Sequence, residues 1–462
     1  MIQTILIILL LEGFITISIE ILTMRQLLPF FGGSVVITSV IIGIFLLFLA
    51  LGYWRGGCYH RDFFKQLNRN FVLSLLWVGM GLSYSFTSLY FYTSTITLSI
   101  PFLLSLMGYL LFVLSPIVYW LGQTIPLTTN LFNQEHKISR ISGTALFVST
   151  IGSFLGAIVT SLILFQYLGV AWTIVFNCMV LFVIIMLIRT QSKLSWPHIF
   201  YLVLVLLFIS FLNLNPEREQ FKKTNNYANY QIISLNGNSK ILEINKSHSS
   251  LITLNKKGFP YIEFIKDLLF NKLRLQHKKL LIIGAGGFSL SAQGTHDNEV
   301  TYIDIDPEIK KIAESQFLQE PIKGTFFGQD ARRFLNQHQT LFDVVVSDVY
   351  THQTTMPPAL LTVEYFQSIN SHLKPSGLAL FNIIANSSFG DEYSQIVANT
   401  IHVAFPYCEI IPLNEKGPFS NIIYICHKTA ENKKIYSDNL NTSTLDYFNS
   451  SQQFKSKDLI SQ

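Results

Sequence analysis

This chain predicts two folds in series: an all-α bundle of about seven apolar helices over residues 1–214, and an α/β domain built on a mostly parallel sheet over residues 259–429. Three observations lead there. Apolar residues fill 50% of the 462 positions and charged residues only 13%, far from the balance of an ordinary water-soluble protein. The apolar excess lies almost wholly before Asn215, in successive runs of about 18 to 25 residues, each long enough for the hydrocarbon core of a bilayer. Past Asn215 the composition turns polar, and short apolar runs alternate with helical patterns, as they do in sheets covered by helices on both faces.

The candidate membrane spans are 2–24, 34–54, 71–92, 98–122, 141–165, 170–188 and 197–214. The first is not a leader peptide by its pattern: it lacks a basic start, carries Glu12 and Glu20, and runs directly into further spans. Carboxylates in lipid are costly, so Glu12 and Glu20, eight residues apart on roughly one helix face, should face the bundle interior, as a cation or amine site or as helix-paired groups. Gly152 and Gly156 form a small-xxx-small pattern for close helix packing. Pro101, Pro116 and Pro126 should kink or end helices.

Loop charge orients the bundle. One side carries Arg55, Arg61, Lys65, Arg69, Lys137, Arg140, Arg189 and Lys193, the other only Arg25, so the N-terminus should be cytoplasmic. Seven spans would then put the polar half outside; the side is open at this point.

The polar half begins with a small antiparallel β lead-in over 225–258, with runs at 230–235, 240–245 and 250–254 and an Asn236-Gly237 turn. A helical pattern follows from Pro260 to Leu273, with Tyr261 and Glu263 in its first turn. Strand runs come next at 280–283, 300–304, 324–327, 342–347, 378–384, 407–413 and 421–426, separated by helical patterns near 288–293, 307–317, 330–338, 362–373 and 391–404. The stretch from Lys279 to Pro307 organises the domain. An apolar run breaks into Gly284-Ala285-Gly286-Gly287, and Asp304 ends the next run 20 residues after Gly284. Glycines let a backbone approach a ligand, and an acid at the tip of the following strand accepts hydrogen bonds from ribose hydroxyls. The third glycine of the dinucleotide fingerprint would fall on Ser289, so the turn suits an adenosyl ligand without a pyrophosphate better than NAD. Asp330 and Asp348 end later strands on the same side, where sheets of this kind bind ligands; Asp330 also fits a helix N-cap, and Asp343, at the far end of its strand, reads as structural.

Other classes are disfavoured. The net charge of +5 forms no basic stripe of the kind that binds nucleic acid. Cys58, Cys178, Cys408 and Cys426 show no metal-ligand spacing and read as free thiols, with no metal expected. From Ala430 onward the chain is rich in Asn, Ser, Lys and Gln and reads as a loosely ordered polar tail, 430–462.

At this point the residues resemble a known family. Tyr230-Gln231, Gly258-Phe259-Pro260-Tyr261-Ile262-Glu263, the glycine turn, Asp304-Ile305-Asp306-Pro307, Gln329-Asp330-Ala331-Arg332, Ser347-Asp348 and Leu361-Thr362-Val363-Glu364-Tyr365-Phe366 are similar, in order, to the spermidine synthases, or polyamine aminopropyltransferases. Glu20, Arg25, Pro29, Gly32 and Ser34 are similar to the opening of their membrane-fused bacterial relatives. The resemblance implies a small β domain before a Rossmann-like, methyltransferase-type fold. It implies Asp348 as the catalytic carboxylate, Asp304 at the ribose, Asp330 with Ala331 at the adenine, and Gln231, Gly284 and Gly286 as further cofactor contacts. Glu263, Tyr350 and Glu364 would be the nearest substrate contacts.

The implied activity is aminopropyl transfer from decarboxylated S-adenosylmethionine to an amine such as putrescine, in a multi-pass protein of the inner membrane, with room for a homo-oligomer. Two positions depart from the family: an acid of its glycine turn is replaced by Gly287, and a second acid after the catalytic one by Thr351. Both bear on the amine. Methyl transfer from S-adenosylmethionine and a non-catalytic transporter or sensor with an adenosyl-binding domain are the alternative readings.

Overall fold

The computed structural model describes residues 2–32, 35–132, 138–192, 196–235, 238–350, 356–414 and 419–429. The expected tail, the Asn236-Gly237 turn and Thr351 lie outside them.

Among the described residues six helices are long and apolar enough to cross a membrane: Ile2–Phe31, Val35–Gly57, Phe102–Thr129, Ser139–Leu168, Val170–Ile188 and Pro197–Gln220. The expected continuous span at 71–92 is instead a pair, Phe63–Gly81 and Tyr84–Thr97, bent by 64°. The sequence Gly81-Leu82-Ser83 explains the break. Leu82 closes the first helix by donating to the Val78 carbonyl, and Ser83, in extended geometry, caps the second by accepting from the Phe86 amide at 3.3 Å. Counting the pair as one span gives up to seven.

The first helix packs closely on Ile138–Val159 because glycines face carbonyls across the contact. A Cβ on Gly13 would sit 2.0 Å from the Ser149 carbonyl oxygen, and one on Gly152 would sit 2.0 Å from that of Leu10. Glu12 is buried in this seam, accepting from the Thr16 hydroxyl at 2.9 Å and the Ser149 hydroxyl at 3.1 Å, which makes it a helix-paired carboxylate. Arg25 is not in a loop but inside the first helix, and it is buried.

The polar half opens with four antiparallel strands: β1 (Lys223–Thr224), β2 (Asn229–Ser234), β3 (Lys240–Ile244) and β4 (Ser247–Ile252). Asn245 and Lys246 both have positive φ, the geometry of a tight hairpin turn between β3 and β4. The helix Pro260–Lys266 follows and runs on through Lys272. The main sheet comprises β5 (Lys279–Ile283), β6 (Glu299–Asp304), β7 (Thr325–Gly328), β8 (Phe342–Ser347), β9 (Leu373–Ala385), β10 (Tyr407–Pro412) and β11 (Ser420–His427) in the order β10-β11-β9-β8-β5-β6-β7. β5 to β9 are parallel and the last two strands antiparallel, so the sheet is mixed. Alternate residues of β5 go to opposite cores, Leu280 and Ile282 to one and Leu281 and Ile283 to the other, so both faces are covered.

Two expectations need correction here. The helical pattern near 288–293 is a single short turn, Ser289–Ser291: Phe288 adopts a left-handed φ of 56° and drives its ring into the core against Tyr302 and Phe326. Cys408 and Cys426 are not free thiols but a disulfide, because the β10–β11 register sets them directly opposite each other. Cys58 and Cys178 are free.

The α/β half is seated on one end of the bundle. Arg25 donates to the Asn225 carbonyl and the Asn229 side chain, Val170 donates its amide to the Thr224 hydroxyl, and Tyr84 meets Phe221 edge-on. At the β3–β4 tip, the Lys246 ammonium lies 3.9 Å above the Phe30 ring, in a partly dry contact that lowers its pKa to about 8. Ser149 meets Glu12 and Thr160 meets Ser18, so Ile138–Val159 runs parallel to the first helix and Arg140 lies by that helix's N-terminal end. Gly56 packs on Pro126 near Ile125, which clusters with Ile5 and Leu9 of the same end, opposite Arg25 and Phe30.

Candidate active site

Register places the site. Ile283 of β5 is level with Ile303 of β6 and Ser347 of β8, so Gly284, Asp304 and Asp348 emerge together at the carboxyl ends of three neighbouring parallel strands. Chain order reverses here, with β5 running on to β6 and β7 on one side while β8 and β9 lie on the other; a crevice forms at such a switch point. It is a cavity of about 870 Å³, lined by the β5 turn, the three strand-end acids, Ser247–Ser250 of β4, Phe259–Ile262, and Leu413 and Phe419 at the far wall.

Gly284 has a φ of +90°, and a Cβ there would stand 2.0 Å from the Asp348 carbonyl oxygen. Left-handed strain on an alanine costs about 1–3 kcal/mol before that collision is relieved. Gly284→Ala should therefore lower the unfolding temperature of the α/β half and weaken nucleoside binding at least tenfold. A variant that melts and binds like the parent would show that this close approach is unimportant.

Asp304 is half-buried beside the turn. Its Oδ2 accepts from the Ala285 amide and its Oδ1 from the Asp306 amide, both at 3.1 Å. Burial pushes its carboxyl up to about 6, with the Asp306 and Ala285 amides holding back the rise. Asp330, at the rim, caps the helix Ala331–Gln337 by accepting from the Arg333 amide at 2.9 Å, so it serves as an N-cap and as a cavity wall together.

Asp348 is held on two sides. The Tyr261 hydroxyl donates to Oδ2 at 2.8 Å, and the Asn382 amide donates to Oδ1 at 2.8 Å; Asn421 of β11 in turn donates to Asn382 at 3.1 Å. Burial raises its pKa against the lowering effect of Asn382 and Tyr261. The result is a carboxylate oriented by neutral donors, with no ion pair among the described residues to quench it as a proton acceptor.

The structure thus brings Gly284, Gly286, Asp304, Asp330, Ala331, Asp348 and Tyr350 to one cavity. The Tyr350 hydroxyl is engaged by β9, donating to the Asn382 carbonyl and accepting from the Ile384 amide, so the ring is what it offers. Three other candidates stand apart from the lining. Gln231 pairs with Glu243 across β2–β3, one position on from Tyr230, which turns to the core. Glu263 is taken by Lys266 at 2.8 Å and by the Gly258 amide at 2.7 Å. Glu364 lies exposed in the first turn of Val363–Ser371. Asp343 binds Lys374 at the opposite end of the sheet, as its position predicts. Asn382 and Asn421 are cavity residues that sequence reading does not single out, and Tyr261, noted there only in a helix's first turn and a motif, proves to hold Asp348. The one available signal was Asn382 as a lone amide inside an apolar strand.

Residues 258–428 match the spermine/spermidine synthase domain. Over a longer stretch the chain is similar to polyamine aminopropyltransferase 2 of Aquifex aeolicus (strain VF5), 22% identical over 379 residues covering 75% of this chain and 72% of that protein. A shorter similarity links it to the eEF1A lysine and N-terminal methyltransferase of Danio rerio, 26% identical over 172 residues that cover 34% of this chain and 24% of that protein. Among solved structures, a probable spermidine synthase from Corynebacterium glutamicum ATCC 13032 is 20% identical, with 47% of this chain and 81% of that chain covered and a TM-score of 0.39. The likeness to the spermine/spermidine synthase family is thus carried by residues 258–428.

Proposed function

We propose that this protein is a membrane-anchored aminopropyltransferase that moves the aminopropyl group of decarboxylated S-adenosylmethionine onto an amine and releases methylthioadenosine. The observation that carries this reading is the Asp348 carboxylate, fixed by Tyr261 and Asn382 in the same cavity as a ribose-type acid, Asp304. An alkylamine has a pKa near ~10 and is mostly protonated at neutral pH, so it needs a proton acceptor where it reacts. In this scheme Asp348 takes the proton from the amine, and the freed nitrogen lone pair forms the new bond to the carbon attached to sulfur. The carbon–sulfur electron pair returns to the sulfonium, leaving a neutral thioether. Charge is lost along that path, which the apolar walls from Ile282, Leu413 and Phe419 favour.

The amine end is the less specified. Gly287 cannot be replaced by an acid in place, since a Cβ there would lie 2.3 Å from the Phe317 ring and 2.8 Å from Ser250. Among the described residues the carboxylates lining the cavity are Asp304, Asp330 and Asp348. With the first two facing the nucleoside, one remains for the acceptor. The packing at Gly287 and the similarity to a named methyltransferase also favour a second reading, methyl transfer from S-adenosylmethionine. Parallel assays separate the two. Methylthioadenosine formed from putrescine and the decarboxylated donor supports the first, and S-adenosylhomocysteine formed only from S-adenosylmethionine and a membrane extract supports the second. Binding of both donors with neither product would favour the sensor.

Membrane anchoring is supported by outward-facing Leu46, Phe154, Leu207 and Phe211, each more than half exposed, on helices that water would not tolerate in that form. For the side, the basic loops point the other end of the bundle away from the cytoplasm, the α/β half is seated on that other end, and Cys408–Cys426 suits an oxidising compartment. Reporter fusions after Arg61 should read cytoplasmic and fusions at the C-terminus extracytoplasmic. A cytoplasmic C-terminus would overturn this orientation and place the site beside the cytosolic donor pool.

A further inference from the structure

We propose that Arg25, on the first helix of the bundle, is a positioning residue for the nucleoside site of the α/β half, acting on Asp304 through Asn225 and Asp306. This rests on the reading of Asp304 as the ribose acid.

The contacts form one continuous series. Arg25 Nε donates to the Asn225 carbonyl oxygen at 2.6 Å, and Nη2 donates to Asn229 Oδ1 at 2.7 Å. The Asn225 side-chain amide donates to Asp306 Oδ2 at 2.6 Å, and the Tyr230 hydroxyl donates to the same oxygen at 2.6 Å. Asp306 then donates its own amide to Asp304 Oδ1, the residue that faces the cavity. Every member from Arg25 to Asp306 is buried, so each bond is made away from water, where a misplaced partner is expensive. Charge is matched as well as geometry. The guanidinium lies within electrostatic reach of Glu217 and Asp306, and the Asp306 negative charge lies beside that of Asp304. A cation at Arg25 offsets the repulsion between the two acids.

A second contact acts on the same cavity from the same side. The β3–β4 tip is seated on Phe30 and Ser88 by Lys246, and the strand leaving that tip supplies Ser247–Ser250 to the cavity wall; Ser250 accepts from the Gly287 amide at 2.8 Å. An anchor alone would need neither a buried arginine nor a hairpin tip keyed into the bundle. The bundle end is therefore part of the scaffold that sets the nucleoside acid.

The test uses full-length protein in detergent and 5′-methylthioadenosine as the probe. Arg25→Gln should weaken methylthioadenosine binding by about threefold to thirtyfold, while the acceptor KM changes less than twofold, because Asp348 and its donors are outside the series. Arg25→Lys, which keeps the charge, should recover part of the loss. If Arg25→Gln does not assemble, Asn229→Ala, which removes a single acceptor, should weaken binding by about twofold to tenfold in a protein that melts normally. Parent-like methylthioadenosine affinity in a folded Arg25→Gln or Asn229→Ala variant would overturn the proposal, as would equal loss of nucleoside and acceptor affinity. Failure of the parent itself to bind methylthioadenosine would instead overturn the assignment of Asp304.

Discussion

Asp348→Asn should lower turnover by about 10² to 10⁴ while methylthioadenosine affinity stays within a few-fold of the parent. The substitution keeps the shape of the side chain, and an amide can still meet Tyr261 and Asn382, which are 2.8 Å away in the parent. What it removes is the proton acceptor. Steady-state kinetics with saturating donor would measure the first quantity and titration the second. Undiminished turnover would remove Asp348 from the chemistry, and a matched fall in nucleoside affinity would reassign it to donor binding. The Asn382 amide tests the same idea from behind: Asn382→Ala leaves the carboxylate in place but lets it turn, so a smaller loss of turnover, with donor binding intact, is expected.

The second large effect concerns the nucleoside. Loss of hydrogen bonds to a charged group typically costs about 1.5–3 kcal/mol, so Asp304→Ala should weaken methylthioadenosine binding by roughly 10- to 150-fold. Acid should mimic the mutation. With burial holding the Asp304 carboxyl up to about 6, affinity should fall as pH drops from about 7 to 5 and the anion is lost. Unfolding does not explain that fall through this group. A carboxyl whose value is raised in the folded state adds stability that is fully present below the ordinary value of 3.8 and disappears as pH rises through about 6. Affinity and this part of stability therefore move in opposite directions with pH. A flat pH dependence of binding in the parent, or a folded Asp304→Ala variant of unchanged affinity, would remove Asp304 from the ribose.

Much of this cavity's lining was legible because it sits at strand ends. Apolar runs ending in Gly284, Asp304 and Asp348 give their own positions away, and a parallel register then aligns them. The supports were hidden for a physical reason. Tyr261 and Asn382 reach Asp348 from 87 and 34 residues away in the chain, and no local pattern encodes such a meeting. Glu263 shows the reverse difficulty: it looked available in sequence, but Lys266, three residues on, occupies it. Gln231 stands apart from the cavity lining, where its neighbour Tyr230 holds the position turned to the core. The disulfide escaped notice because its 18-residue separation resembles no motif and only the antiparallel pairing brings the two sulfurs together. Likewise the bend after Gly81 depends on how Ser83 spends its hydroxyl, a choice that hydropathy does not record.

The Arg25–Asn225–Asp306 series also bears on how such a protein can change over evolutionary time. A catalytic unit joined to a membrane bundle only by a tether can be exchanged for another, or released as a free-standing enzyme, by a cut at the joint. Here a cut near residue 221 would strip a buried amide carbonyl and the Asn229 side chain of their cation, and would expose a hairpin tip shaped to rest on aromatic rings. Shuffling the halves between related proteins would bring together surfaces that had not changed in step. The two parts are bound to be inherited as one, and substitutions at position 25 should be tolerated only alongside compensating ones at 225, 229 or 306.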